Sequence, residues 1–173
     1  MSTAYFQHCT PSKMDRATFV STFGDIYEHS SWIAADTFDQ GIDNSHNEIK
    51  ALQKKMASIL LNADKQAKLK LINAHPDLAG KAATSGQLTE SSTSEQAGAG
   101  ISDCTPTEFA RFNELNNGFK EKFGFPFIMA VKGSNRQLIL ASFEERIHSA
   151  PEQEFLRALQ EINKISQFRL AVM

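Results

Sequence analysis

The chain has 173 residues, 41% of them hydrophobic and 22% charged, which excludes a collagen, a disordered tail and a disulfide scaffold. That length predicts one domain, able to bury about two-thirds of its extended-chain surface without a disulfide or metal staple. With 18 Lys and Arg against 20 Asp and Glu, the net charge of −2 excludes a global positive field for nucleic acid or an anionic membrane, and points to a small molecule or another protein surface as partner.

Taken in chain order, helical periodicity dominates. Phe19, Val20, Phe23, Ile26 and Tyr27 fall on one face of a first helix. Ser45-x-x-Glu48 reads as a capping box for a second, carrying Ile49, Leu52, Met56, Ile59 and Leu60. Asp64 caps a third, with Leu69, Leu71 and Ile72, which stops before Pro76 because proline disfavours helical geometry at His75. Residues 76–100 break the pattern and are rich in Gly, Ala, Ser and Thr. A long helix then opens with Thr105 as N-cap, Pro106 at the first position and Glu108 at the third. It carries Phe109, Phe112, Leu115 and Phe119, and Gly124 ends it. The apolar run from Phe125 to Val131 has the length of a strand, but Pro126 argues against a central one. Leu140, Phe143 and Ile147 mark another helix, and Ser149-x-x-Glu152 caps the last, with Phe155, Leu159, Ile162 and Ile165 inward. The prediction is a single all-α domain over residues 1–173, a compact multi-helix bundle with no working sheet. Lysines 50, 54, 55, 65, 68 and 70 read as a solvated helix face.

Cys9 and Cys104 lie far apart and outside any CxxC spacing, which predicts reduced thiols. No secretory pattern opens the chain, no apolar run approaches the ~20 residues of a membrane span, and the final tripeptide is not a peroxisomal address; a cytoplasmic location is expected. Motif tests are negative. Gly80-Lys81 lacks the first glycine and the hydroxyl of a P-loop, with His75 and Ala82 in those places. An EF-hand read from Asp36 has Phe38, Gln40 and Asn47 where oxygen ligands belong. The five histidines show no zinc spacing, and no GxSxG elbow occurs.

Three unusual segments remain: HPDLAGKAA from His75, LTESSTSEQAGAG from Leu88, and LNNGFKEKFGFPFI from Leu115. Each also has an ordinary explanation. His75 can cap the carbonyls of the helix before it, Ser92-x-x-Glu95 is formally a capping box, and the Phe-rich run has the composition of a core.

Together, and with the later FEERI segment, the three resemble the 2-oxo-4-hydroxy-4-carboxy-5-ureidoimidazoline (OHCU) decarboxylases, in order from about residue 14 to Arg169. Phe119 stands where that family commonly has Tyr. The resemblance implies an all-helical fold, no cofactor, a homodimer, and conversion of the ureidoimidazoline to (S)-allantoin and carbon dioxide during urate breakdown. It also implies His75 and Glu95 as catalytic residues. Substrate contacts are implied for Pro76, for Ser92, Thr93, Ser94, Glu95 and Gln96, for Phe127, Ile128, Met129, Ala130 and Val131, and for Arg169.

The chemistry is consistent on its own terms. Loss of carbon dioxide leaves an electron pair that normally needs a cofactor sink. The ring C=N beside the reacting carbon supplies that sink, so a proton donor and a polar cradle suffice. Imidazole, with an unperturbed pKa of ~6.5, suits proton transfer near neutrality. Two other readings of the chain are a non-catalytic helical binding module and a related helical lyase acting on another ureido compound.

Overall fold

A computed structural model describes residues 2–80 and 87–173. Residues 81–86, which include the Lys81-Ala82-Ala83 end of the first motif, lie outside the described residues. Among the described residues there are eight α-helices: α1 Arg16–Phe23, α2 Trp32–Asp39, α3 Ile49–Asn62, α4 Lys65–Ala74, α5 Glu90–Gly98, α6 Pro106–Phe123, α7 Arg136–Arg146 and α8 Pro151–Leu170. The strand pairing among them amounts to one antiparallel bridge, Tyr5 with Glu48, so the fold is all-α. No helix among the described residues is long and apolar enough to cross a membrane. The chain groups into two compact units, one of residues up to Ala74 with Asn163–Met173, the other of His75–Ile162.

In the first unit, α2 packs on α1 and on α3. Phe19 and Phe23 are fully buried; Phe23 meets Phe6 edge-on at 5.5 Å and Phe19 meets Phe38 at 5.5 Å. Asp15 caps α1, its carboxylate accepting from the Thr18 amide at 2.8 Å. The helix ends at Phe23, earlier than the apolar spacing predicts, and Ile26 and Tyr27 are buried from the turns beyond it. Glu48, not Ser45, occupies the N-cap of α3. Asp43 competes successfully for this region, accepting from the Ser45 amide at 2.9 Å at the head of a short 3₁₀ turn. Asp64 caps α4 as predicted, accepting from the Ala67 amide at 2.7 Å, and α4 stops at Ala74.

The Tyr27 hydroxyl donates to Asn163 Oδ1 at 2.7 Å, and burial pushes its pKa up to about 12 against a weaker opposing effect of Ser166. An unfolded phenol ionises near pH 10, so on the alkaline side the unfolded chain gives up this proton first. The stability tied to Tyr27 is therefore complete below about pH 10 and is lost as pH rises toward about 12. Urea midpoints of wild type and Tyr27→Phe, measured from pH 8 to 11.5, are expected to converge with rising pH; a constant gap contradicts this.

In the second unit, α6 has the predicted boundaries. Thr105 Oγ1 accepts from the Glu108 amide at 3.1 Å, Glu108 Oε1 accepts from the Thr105 amide at 3.2 Å, and Gly124 ends the helix in the left-handed region at φ 76°. Phe112, Leu115 and Phe119 are buried while Phe109 is half-buried, and Asn116 joins the buried face. The predicted face of α7 is displaced by one residue: Ile139, Phe143 and Arg146 are buried, with Leu140 and Ile147 half-buried. The Ser149–Glu152 cap is displaced likewise, since α8 starts at Pro151 and Gln153 reaches back to the Ala150 amide at 3.4 Å. Residues 126–131 have no regular secondary structure and no partner strand among the described residues.

Candidate active site

His75 follows the last residue of α4 and is half-buried on a bend before Pro76. The loop after it is tightly held. Ala79 has φ +53°, a left-handed backbone that side-chain-bearing residues seldom adopt, costing about 1–3 kcal/mol unless the surroundings impose it. Gly80 is required by space, because a Cβ there would lie 2.6 Å from Asp77 Cβ. Three side chains strap the loop. Gln96 Oε1 accepts from the Ala79 amide at 3.2 Å, and its Nε2 donates to the Asp77 carbonyl at 3.4 Å. Asn116 Nδ2 donates to the Leu78 carbonyl at 2.9 Å. Lys120 Nζ donates to Asp77 Oδ2 at 2.6 Å.

Residues 88–100 are not a loop throughout. Thr89 caps α5, its hydroxyl accepting from the Ser92 amide at 3.2 Å, so Ser92 sits at the third helical position and is not the cap the local pattern suggests. Helical spacing then places Ser92, Glu95, Gln96 and Ala99 on one side. Ser92 and Gln96 are buried, Glu95 is half-buried, and Thr93 and Ser94 are exposed. A Cβ at Gly98 would meet open space, whereas Gly100 is left-handed at φ 76°, where α5 gives way to a 3₁₀ turn.

The 127–131 segment is held from α7 and α8. The Phe127 ring, 2% exposed, stacks on Phe143 at 3.9 Å, meets Phe119 edge-on at 5.5 Å and lies 4.4 Å from the Arg146 guanidinium carbon. Arg146 donates to the Ile128 carbonyl at 2.8 Å and to Glu154 at 2.9 and 3.0 Å. Glu161 accepts from the Ala130 amide at 2.9 Å and from Arg157 at 3.0 Å. Of residues 127–131, only Met129 is not classed as buried. Helix α6 thus serves both parts, gripping the His75 loop through Asn116 and Lys120 and the apolar segment through Phe119. Arg169 belongs to the first unit, buried, its Nη1 3.0 Å from Glu28 Oε2 and 3.2 Å from the Ile26 carbonyl. Among the described residues no three His, Cys, Asp or Glu side chains converge to hold a metal ion.

The side chains that position this site escaped the sequence pattern. Asn116 stands within a quoted motif and Arg146 within FEERI, yet nothing local distinguishes either from a solvated residue. A usable signal is present in α8, where Glu154, Glu161 and Arg169 keep step with Ala158, Ile162 and Ile165 on the buried face.

The described residues form an all-helical protein in which Gln96, next to Glu95 on α5, straps the loop that follows His75. The family model described as OHCU decarboxylase matches residues 12–171. The chain is 38% identical to a 2-oxo-4-hydroxy-4-carboxy-5-ureidoimidazoline decarboxylase from Halalkalicoccus jeotgali, over 92% of this chain and 86% of that protein. It is 39% identical to the uric acid degradation bifunctional protein of Bacillus subtilis, over 92% of this chain and 31% of the larger protein. A solved structure of an (S)-allantoin synthase superposes with a TM-score of 0.75 at 31% identity, covering 94% of this chain, which spans about half (51%) of that one. The chain belongs to the OHCU decarboxylase family, and so to the carboxy-lyases.

Proposed function

We propose that this chain converts 2-oxo-4-hydroxy-4-carboxy-5-ureidoimidazoline to (S)-allantoin and carbon dioxide in urate degradation, with His75 and Glu95 performing the proton transfers. The observation that carries the reading is the Gln96 strap: the residue next to Glu95 bonds the backbone two and four residues beyond His75. Family membership and the activity for which the relatives are named supply the substrate.

The electron count closes without an external sink. The bond from the ring carbon to the carboxylate breaks, carbon dioxide leaves, and the pair forms a double bond to the neighbouring ring carbon while the ring nitrogen takes a proton. A proton is then added to that neighbouring carbon as the hydroxyl becomes a carbonyl, and the face of addition sets the (S) configuration. His75 is the proton carrier, and Glu95 orients it or bonds the substrate hydroxyl. Ser92 shares the buried side of α5 with Gln96 and offers a hydroxyl to the amide-rich ring. Phe127 serves through packing, and its segment presents backbone and Met129.

A homodimer and a cytoplasmic location belong to the same proposal; sedimentation velocity checks the first. The activity is tested by generating the substrate in situ from urate with urate oxidase and hydroxyisourate hydrolase. Carbon dioxide release in proportion to added protein is expected, and a rate equal to the spontaneous one overturns the proposal.

A further inference from the structure

We propose that Asn116 is a positioning residue for the acid–base loop, acting through the Leu78 carbonyl, with Lys120 one turn further along α6 holding the same loop through Asp77. This rests on the decarboxylase reading and extends it to side chains that bind the loop.

The position of Asn116 is what demands an explanation. It is 3% exposed, on the helix face that buries Phe112, Leu115 and Phe119. Its Nδ2 donates to the Leu78 carbonyl at 2.9 Å, while its Oδ1 is buried with no hydrogen-bond partner among the described residues. A single buried hydrogen bond contributes only about 0.5–1.5 kcal/mol net, no more than a well-packed apolar side chain of the same size would supply. What the amide supplies and leucine does not is a fixed direction for one carbonyl.

That carbonyl lies where direction matters. It immediately precedes Ala79, whose left-handed backbone needs neighbours on both sides to impose it. Gln96 holds the Ala79 amide and the Asp77 carbonyl, Asn116 the Leu78 carbonyl, and Lys120 the Asp77 carboxylate. The peptide groups from Asp77 to Ala79 are thereby anchored to α5 and α6. Pro76 fixes its own φ by its ring, so setting the chain after it also sets how His75 is presented. A proton carrier displaced by a fraction of its reach loses rate without losing its substrate.

The test compares wild type, Asn116→Leu, Asn116→Asp and Lys120→Met for kcat and KM on the ureidoimidazoline generated in situ, with circular dichroism and thermal midpoints alongside. Asn116→Leu is expected to keep its helicity and its midpoint, lose about tenfold or more in kcat and change KM by no more than about threefold. Asn116→Asp is expected to recover kcat as pH falls, because the protonated carboxyl again donates to the Leu78 carbonyl; lost packing gives no such pH profile. Lys120→Met, at a partly exposed position, is expected to lower kcat by a smaller factor. Combined with Asn116→Asp it should cost less than the product of the single losses, since both act on one loop. Should Asn116→Leu fail to fold, the aspartate profile and the double variant decide the matter. A kcat of Asn116→Leu within twofold of wild type, an aspartate variant with the wild-type pH profile, or multiplicative losses would overturn the proposal. A wild-type chain that does not accelerate the reaction overturns the decarboxylase reading itself, and this inference with it.

Discussion

His75→Ala is expected to lower turnover by about 10²–10⁴-fold, the usual contribution of a positioned acid or base, while leaving the helices intact. The imidazole is half-buried on a bend after α4, outside the core formed by Phe112, Phe119 and Phe143, so truncation opens no cavity there. Glu95→Gln keeps the size and hydrogen-bonding reach of the side chain and removes its charge; a loss of similar order is expected if the carboxylate orients the imidazole or bonds the substrate hydroxyl. Single-turnover rates with far-UV circular dichroism check both. Unfolding of His75→Ala would return this residue to the simpler role of a helix-end cap.

The second large effect concerns stability. Arg146→Met is expected to cost about 3–5 kcal/mol, because it leaves the Glu154 carboxylate buried without its partner. The side chains are 8% and 2% exposed, and the same guanidinium also holds the Ile128 carbonyl and lies against Phe127. Against a typical total of about 5–15 kcal/mol, that loss approaches unfolding. Arg146→Met combined with Glu154→Leu is expected to regain a substantial part of it, since an apolar pair needs no desolvation of charge. Urea denaturation of the two variants decides: a single variant within about 1 kcal/mol of wild type would mean that the pair is hydrated in solution.

Local chemistry made part of the fold legible. Thr105, Pro106, Glu108 and Gly124 carry strong start and stop signals for α6, and Asp64 and Pro76 do the same for α4. Where two polar residues compete for a cap the pattern is ambiguous, and Asp43 rather than Ser45 organises the approach to α3. Helices α2 and α5 give no clear apolar periodicity: the buried face of α2 sets only Ile33 beside Ala34 and Thr37, and that of α5 carries Ser92 and Gln96. The one-residue error in the buried face of α7 has the same origin, for Arg146 is buried by virtue of Glu154, eight residues away.

The candidate site divides along the same line. The segments around His75 and Glu95 stand out by their odd composition, but the choice of those two residues rests on the family resemblance; Gln96, which the resemblance gives as a substrate contact, straps the loop after His75. Asn116, Lys120, Arg146 and Glu161 earn their places only through partners distant in the chain, which no local pattern reveals.

The most direct test of the central claim follows the circular dichroism of product formed from urate in the presence of urate oxidase and hydroxyisourate hydrolase, with and without this protein. Rapid growth of an (S)-allantoin signal with wild type, and a slow racemic background with His75→Ala, is the predicted result. A slow racemic background in every sample would contradict the account.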